Sequence, residues 1–403
     1  MTQPIADSLA RPVVLLMPAR YWELQASIDG LAKTQTPLVA LVPSDSMMQY
    51  RALGTTDDIG LYYFLPKLAQ IFHLSLNEAW TLWFSGILAI AVAVGIYGMM
   101  RYLQSPLVKA LYLIQLVGFA ALVIKIGDIH ELAPCLTIAV LPFALRFISE
   151  PTNDKKFLRS VGLFGLLGVL FGLAHSIRSH SATALLLFIS TLIFFASTLA
   201  LNKRLVLILS LVIGFLLPQF YMKTVLDTRD EFLKAHQPTY TAASRQHPFW
   251  HTVYIGFGFL SNDYGILYKD EVAAAKVRSL APEAEYCSPQ YETVLKNETL
   301  KLIKSDFAFV FFTIAAKLGV IGTYLILFAN VGLLAALRHP KRWVIELAFF
   351  AALGLNALFG VLAMPRLSYL CGFLAVAWLY GIVSLDEAIR QRRETLSASV
   401  QER

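Results

Sequence analysis

Long apolar runs alternate with short polar breaks along most of this chain, and the breaks mark out its elements. Nine stretches, roughly 79–100, 107–126, 132–149, 160–177, 181–200, 204–222, 318–337, 344–364 and 367–385, are long enough to cross a hydrocarbon core of about 30 Å as helices. The pattern predicts an all-α polytopic membrane protein with about 9–10 transmembrane helices. Between residues 61 and 74 the apolar positions Leu61, Phe64, Leu65, Leu68, Ile71 and Phe72 recur at helical spacing with Lys67, Gln70 and His73 elsewhere. That pattern reads as an amphipathic helix lying in the membrane interface.

Residues 1–50 break the pattern. Their apolar stretches, 13–17 and 38–42, are too short to span, and Pro12 and Pro18 interrupt any signal-peptide core. This segment is a small folded cap, a re-entrant piece or one poorly hydrophobic span. The chain then divides into a first polar loop with the interface helix (51–78), a block of spans (79–222), a large loop (223–306), a second block (307–385) and a charged tail (386–403).

Composition agrees with the pattern: of 403 residues 57% are hydrophobic and 15% charged, against about a quarter charged in a soluble domain. The net charge of +7 is unevenly placed. Alternate connections carry Arg101, then Lys155, Lys156 and Arg159, then Lys203 and Arg204, then Arg338, Lys341 and Arg342, then Arg390, Arg392 and Arg393. Basic loops stay cytoplasmic, so these define the inner side. The 223–306 loop holds 10 Lys/Arg against 11 Asp/Glu and falls outside, together with the first polar loop. Cys135 and Cys371 lie in or near spans and Cys287 in the loop, so no disulfide framework is implied.

Candidate chemistry collects on that outer side. Asp57 and Asp58 are adjacent carboxylates followed by Tyr62 and Tyr63, just ahead of the first span. Paired acids suit a general base, a metal ligand or a cation partner; equally, one of them suits the N-cap of the following helix. The turn between the fourth and fifth spans, Arg178-Ser179-His180-Ser181, puts a guanidinium beside hydroxyls and imidazoles, a donor set that fits a phosphate or a lipid headgroup. In the large loop Arg245, His247 and His251 read as lining a polar cavity, and without an HExxH acid the two histidines do not make a zinc-protease site. Lys317, inside an apolar run, either snorkels or meets an acid or phosphate. Arg366 caps the eighth span on the same side. Arg178, Lys317 and Arg366 are thus candidates for one electropositive site opposite Asp57 and Asp58. There is no GxGxxG or GxxxxGK[ST] motif, so no nucleotide site is visible.

The acidic first outer loop with its tyrosines, the amphipathic helix after it, and the late outer segment 291–317 leading back into the membrane resemble the GT-C superfamily of polyprenyl-phosphate-sugar-dependent glycosyltransferases. The resemblance implies an integral enzyme of a bacterial-type inner membrane, active on the periplasmic face, that moves a sugar from a polyprenyl-phosphate donor to a glycan, lipid or protein hydroxyl. It implies Asp57 or Asp58 as the base, phosphate partners drawn from Arg178, His180, Lys317 and Arg366, and a divalent cation only if the chain follows the metal-binding branch. Nucleic acid has no place in it. The family's helix ahead of the acidic loop has no counterpart in residues 1–50. Two alternatives stay open. The Arg178–Ser181 turn and the stretch Lys317-Leu318-Gly319-Val320-Ile321-Gly322 are similar to O-antigen ligases and polymerases, and a transporter or lipid flippase would also be polytopic.

Overall fold

The computed structural model describes residues 14, 16–44, 47–53, 58–149, 154–237, 240–241, 248–339 and 342–401. Helix α1 (Pro18–Thr34) starts with proline at its first position, where the missing N–H costs nothing, and ends at Gln35 in left-handed backbone. It carries too many polar residues to span. An antiparallel hairpin, β1 (Val39–Ser44) with β2 (Met47–Ala52), pairs Val39 with Ala52 and Leu41 with Tyr50. Gly30 lets the hairpin rest directly on α1, because a Cβ there would stand 1.9 Å from the Val39 carbonyl oxygen. Helix α2 (Ile59–Phe72) turns Leu61, Leu65 and Ala69 inward and leaves Gln70, Ile71 and Phe72 exposed. Pro66 lies well inside it rather than in its first turn.

The membrane block begins with α3 (Leu76–Tyr102), whose Ser75 and Glu78 form a reciprocal capping box. There follow α4 (Pro106–Ile126), a 3-10 turn over Asp128–Glu131, α5 (Leu132–Ser149), α6 (Asp154–Ile177), α7 (Thr183–Thr191) with a π-helical turn over Leu192–Ala196, and α8 (Leu201–His236). A polar module of α9 (Phe249–Gly256), α10 (Asp270–Leu280) and α11 (Pro289–Ser305) comes next. The chain re-enters as α12 (Phe307–Ala329), α13 (Val331–Arg338), α14 (Trp343–Leu362) and α15 (Leu367–Gln401).

Eight of these helices are long and apolar enough to cross a membrane. The expected fifth span is different: 183–196 is a shorter apolar helix. Its neighbours show that it nevertheless recrosses the bundle. On α6, Gly165 faces Ser210 and Gly172 faces Phe215 and Pro218, so numbering rises together along α6 and α8 and the two run parallel. A parallel pair requires the connecting segment to return the chain to its starting end. Small residues let the pair close up, since a Cβ on Gly214 would lie 2.1 Å from the Gly165 carbonyl oxygen. The expected span at 318–337 is instead α12, which starts at Phe307 and breaks at Asn330. Helix α15 is the core of the bundle, with Leu370 and the run from Phe373 to Tyr380 buried. Trp378 stacks between Tyr112 and Phe119 of α4 and donates from Nε1 to Gln115 at 2.7 Å, so its one polar atom is satisfied.

Candidate functional site

Asp58 stands just ahead of α2 with φ 60°, in the left-handed region. It occupies the N-cap position, but its carboxylate makes no capping bond. The side chain turns to two guanidiniums: Arg20 Nη1 donates to Oδ2 at 2.5 Å and Arg178 Nη1 to Oδ1 at 3.3 Å. Arg20 comes from the first turn of α1, and Arg178 from the residue after α6. Gly60 permits the approach, since a Cβ there would sit 2.8 Å from the Ile177 backbone nitrogen. Asp57 lies outside the described residues.

Asp128 faces the same arginine, and Glu131 lies beside Asp128. Asp128 Oδ1 is 3.1 Å from Arg20 Nε, without hydrogen-bond geometry, and its backbone is also left-handed at φ 53°. Glu131, one turn on, is 1% exposed, and neither of its oxygens meets a hydrogen-bond donor among the described residues. Burial disfavours the charged form of Arg20, but Asp58 and Asp128 more than offset it and hold the guanidinium above its ordinary value. Tyr62 donates to Glu23 Oε2 at 2.5 Å; burial pushes its phenol up despite nearby Arg20, and the bond to Glu23 adds to the rise.

Arg178 has a second neighbourhood. With Ser179, His180 and Ser181 it lines a cavity of about 240 Å³ whose walls are mostly apolar. The walls come from α7 (Ala184), α14 (Leu355, Leu358, Phe359 and Leu362), α15 (Tyr369 and Gly372) and α9 (Phe249 and Val253). His130, Thr252, Asn356, Ser368 and Cys371 add polar groups to its lining. His130 is held in place by Cys371, whose thiol donates to the His130 carbonyl at 2.8 Å, and by the Tyr369 ring at 5.7 Å. One arginine therefore joins a buried carboxylate to an apolar hollow.

Set against family models, curated proteins and solved structures, the chain finds no match. Its own sequence and fold make it a multi-pass integral membrane protein.

Of the residues expected to converge, Asp58 and Arg178 meet and Arg178 and His180 line the cavity, whose lining does not include Asp58. Tyr62 and Tyr63 do not line the cavity. Tyr63 bonds the Tyr221 hydroxyl of α8 and accepts from Lys67 at 2.7 Å, so the pair fixes α2 to its neighbours. Lys317 neither snorkels nor meets an acid: it is 2% exposed and donates to the carbonyls of Val361 and Ala363, both at 2.8 Å, at the carboxyl end of α14. Arg366 is exposed, 4.8 Å over the Tyr268 ring, with Nε 3.0 Å from Met364 Sδ. It reaches the cavity only indirectly, because Tyr268 donates to Tyr369 at 3.2 Å. Arg245 and His247 lie outside the described residues. His251 is buried in the polar module between the Tyr291 hydroxyl at 2.7 Å and Asp270 at 3.1 Å, and only its neighbours on α9 reach the cavity. Among the described residues no group of three or more His, Cys, Asp or Glu is arranged to hold a metal ion.

Arg20, Asp128, Glu131 and His130 were not among the expected site residues. For the last three a signal existed: Asp128-Ile129-His130-Glu131 is a charged tetrapeptide in a connection of a few residues between two spans. Arg20 gave none, being one of several charges in a polar segment.

Proposed function

We propose that the chain is an integral membrane glycosyltransferase that takes a sugar from a polyprenyl-phosphate donor and passes it to an acceptor hydroxyl on the outer, periplasmic face of a bacterial-type inner membrane. The observation that carries this reading is the double placement of Arg178, 3.3 Å from the Asp58 carboxylate and on the wall of a mostly apolar cavity. A mostly apolar hollow with a guanidinium on its wall suits an amphiphile with an anionic head. The basic connections at the opposite end of the helices support the orientation.

In the reaction the acceptor oxygen bonds to the sugar's anomeric carbon as the bond from that carbon to the phosphate oxygen breaks. The electron pair leaves with the lipid phosphate, where Arg178 meets the charge, and the acceptor proton goes to Asp58. When the phosphate engages Arg178, Asp58 Oδ1 loses that partner while Oδ2 keeps Arg20. The carboxylate is thereby freed on one side and held on the other.

His130 and His180 on the cavity favour a second reading, an O-antigen ligase or polymerase-like enzyme in which an imidazole takes the proton. The variants Asp58→Asn and His180→Gln, assayed in lipid nanodiscs with radiolabelled polyprenyl-phosphate sugars, separate the two. Asp58→Asn should lower turnover at least a hundredfold with donor binding retained, in the range of general-base loss of about 10²–10⁴. Loss on His180→Gln alone favours the ligase reading. Movement of lipid across the bilayer without formation of a glycosidic bond would sink both.

A further inference from the structure

Among the described residues three carboxyls, Asp58, Asp128 and Glu131, share one buried region with two guanidiniums, Arg20 and Arg178. Fully ionised, the cluster would hold an uncompensated negative charge away from water, and such a charge costs several kcal/mol. Glu131 has no donor on either oxygen, whereas Asp58 has two guanidiniums and Asp128 one. Compensation is reached when Glu131 holds a proton and the other two acids are ionised against the two arginines.

We propose that Asp128 takes up one proton when an anion entering the cavity draws Arg178 out of this cluster, so that ligand binding at Arg178 is coupled to protonation. This rests on the reading of the cavity as a site for a lipid-linked phosphate. With Arg178 committed to the anion, Arg20 alone faces Asp58 and Asp128, and one positive charge can compensate one carboxylate. Asp58 keeps the shorter contact, 2.5 Å against 3.1 Å, and so holds Arg20. Asp128 becomes the proton's site.

The groups acting on Asp128 are drawn from all sides. Arg20 comes from α1, Asp58 from the head of α2, Arg178 from the end of α6, and Glu131 and His130 from its own turn. Cys135 and Cys371 stand beside Glu131 on α5 and α15. Lys125, in the last turn of α4, is exposed. Tyr62 and Glu23 lie behind Arg20.

The test uses the full-length protein in nanodiscs and farnesyl methyl phosphate, a diester whose single charge is constant across pH 6–8. Calorimetric titration in two buffers of different ionisation enthalpy counts the protons exchanged. The expected result is uptake of about one proton per anion, with affinity rising by up to about tenfold per pH unit as pH falls. Asp128→Asn should bind with no uptake and no pH dependence; Glu131→Gln, which mimics the neutral acid, should behave as the wild type. Should Asp128→Asn not fold, the wild-type proton count still decides: binding without uptake overturns the proposal and leaves the functional reading standing. Dimethyl phosphate provides the head without the tail. If it binds equally well with the same uptake, the coupling holds and the lipid reading falls; if neither anion binds, both fall.

Discussion

Arg178 and Lys317 are both cations near the same end of the bundle, yet their surroundings give them opposite roles. Lys317 is committed to two backbone carbonyls that α14 cannot satisfy itself, because the last carbonyls of a helix lack intrahelical partners. Lys317→Met should therefore lower stability by about 1–3 kcal/mol, the cost of leaving buried acceptors unmet. Reversible unfolding in mixed micelles measures it, and turnover per folded molecule should stay near wild type. Arg178→Ala should instead weaken anion binding at least tenfold. Two backbone features support the cluster from below: Asp58 and Asp128 both adopt left-handed conformations, which cost non-glycine residues energy and persist where the surroundings enforce them. Sequence placed Asp58 and Arg178 at one end of the bundle because sidedness follows from charge and hydropathy. It could not reveal that Arg20 would close the pair, since a contact across 38 positions leaves no local pattern.

Among the elements, hydropathy located most spans because each must satisfy its own backbone inside lipid. It misplaced two. The span expected at 318–337 leaves out the apolar residues ahead of Lys317, whereas the lysine turns inward to carbonyls and the helix begins at Phe307. The segment 181–200 read as a full span, but its helical part, Thr183–Ala196, is short and its last turn is π-helical. The polar module was legible only as charged helical sequence, and its organisation depends on His251 linking α9, α10 and α11. The hydrogen bond with His251 lowers the Asp270 carboxyl below its ordinary 3.8, with burial opposing. A depressed carboxyl contributes stability that is present above the unfolded value and lost as pH falls through the folded one. Asp270 is largely exposed, so water screens the pair and the effect is modest. Asp270→Asn should thus speed hydrogen exchange in residues 249–305 at neutral pH, and the difference from wild type should start to shrink as pH drops below about 3.8 and vanish only below the lowered value of the folded state.

For the whole molecule, the parallel packing of α6 and α8 fixes the parity of the crossings. The α6–α7 turn carrying Arg178 and the carboxyl-terminal part of α15 must then lie at opposite ends of the bundle. A single cysteine placed at Ser179 and one placed at Arg392, in a background lacking Cys135, Cys287 and Cys371, should react with an impermeant maleimide from opposite sides of sealed vesicles. Labelling from one side would mean that 183–196 does not recross. Helix α8 adds a mechanical consequence. At about 1.5 Å per residue its 36 residues measure about 54 Å, far more than the hydrocarbon core. Its first half packs on α6, and near its far end the guanidinium of Arg229 bonds both Asp230 and the Leu53 carbonyl at the foot of the hairpin. A single continuous rod thus has one end among the lipids and the other under the cap, so a tilt imposed by a thicker or thinner bilayer would swing the cap as a lever swings its load, and Arg20, seated in that cap, would travel with it.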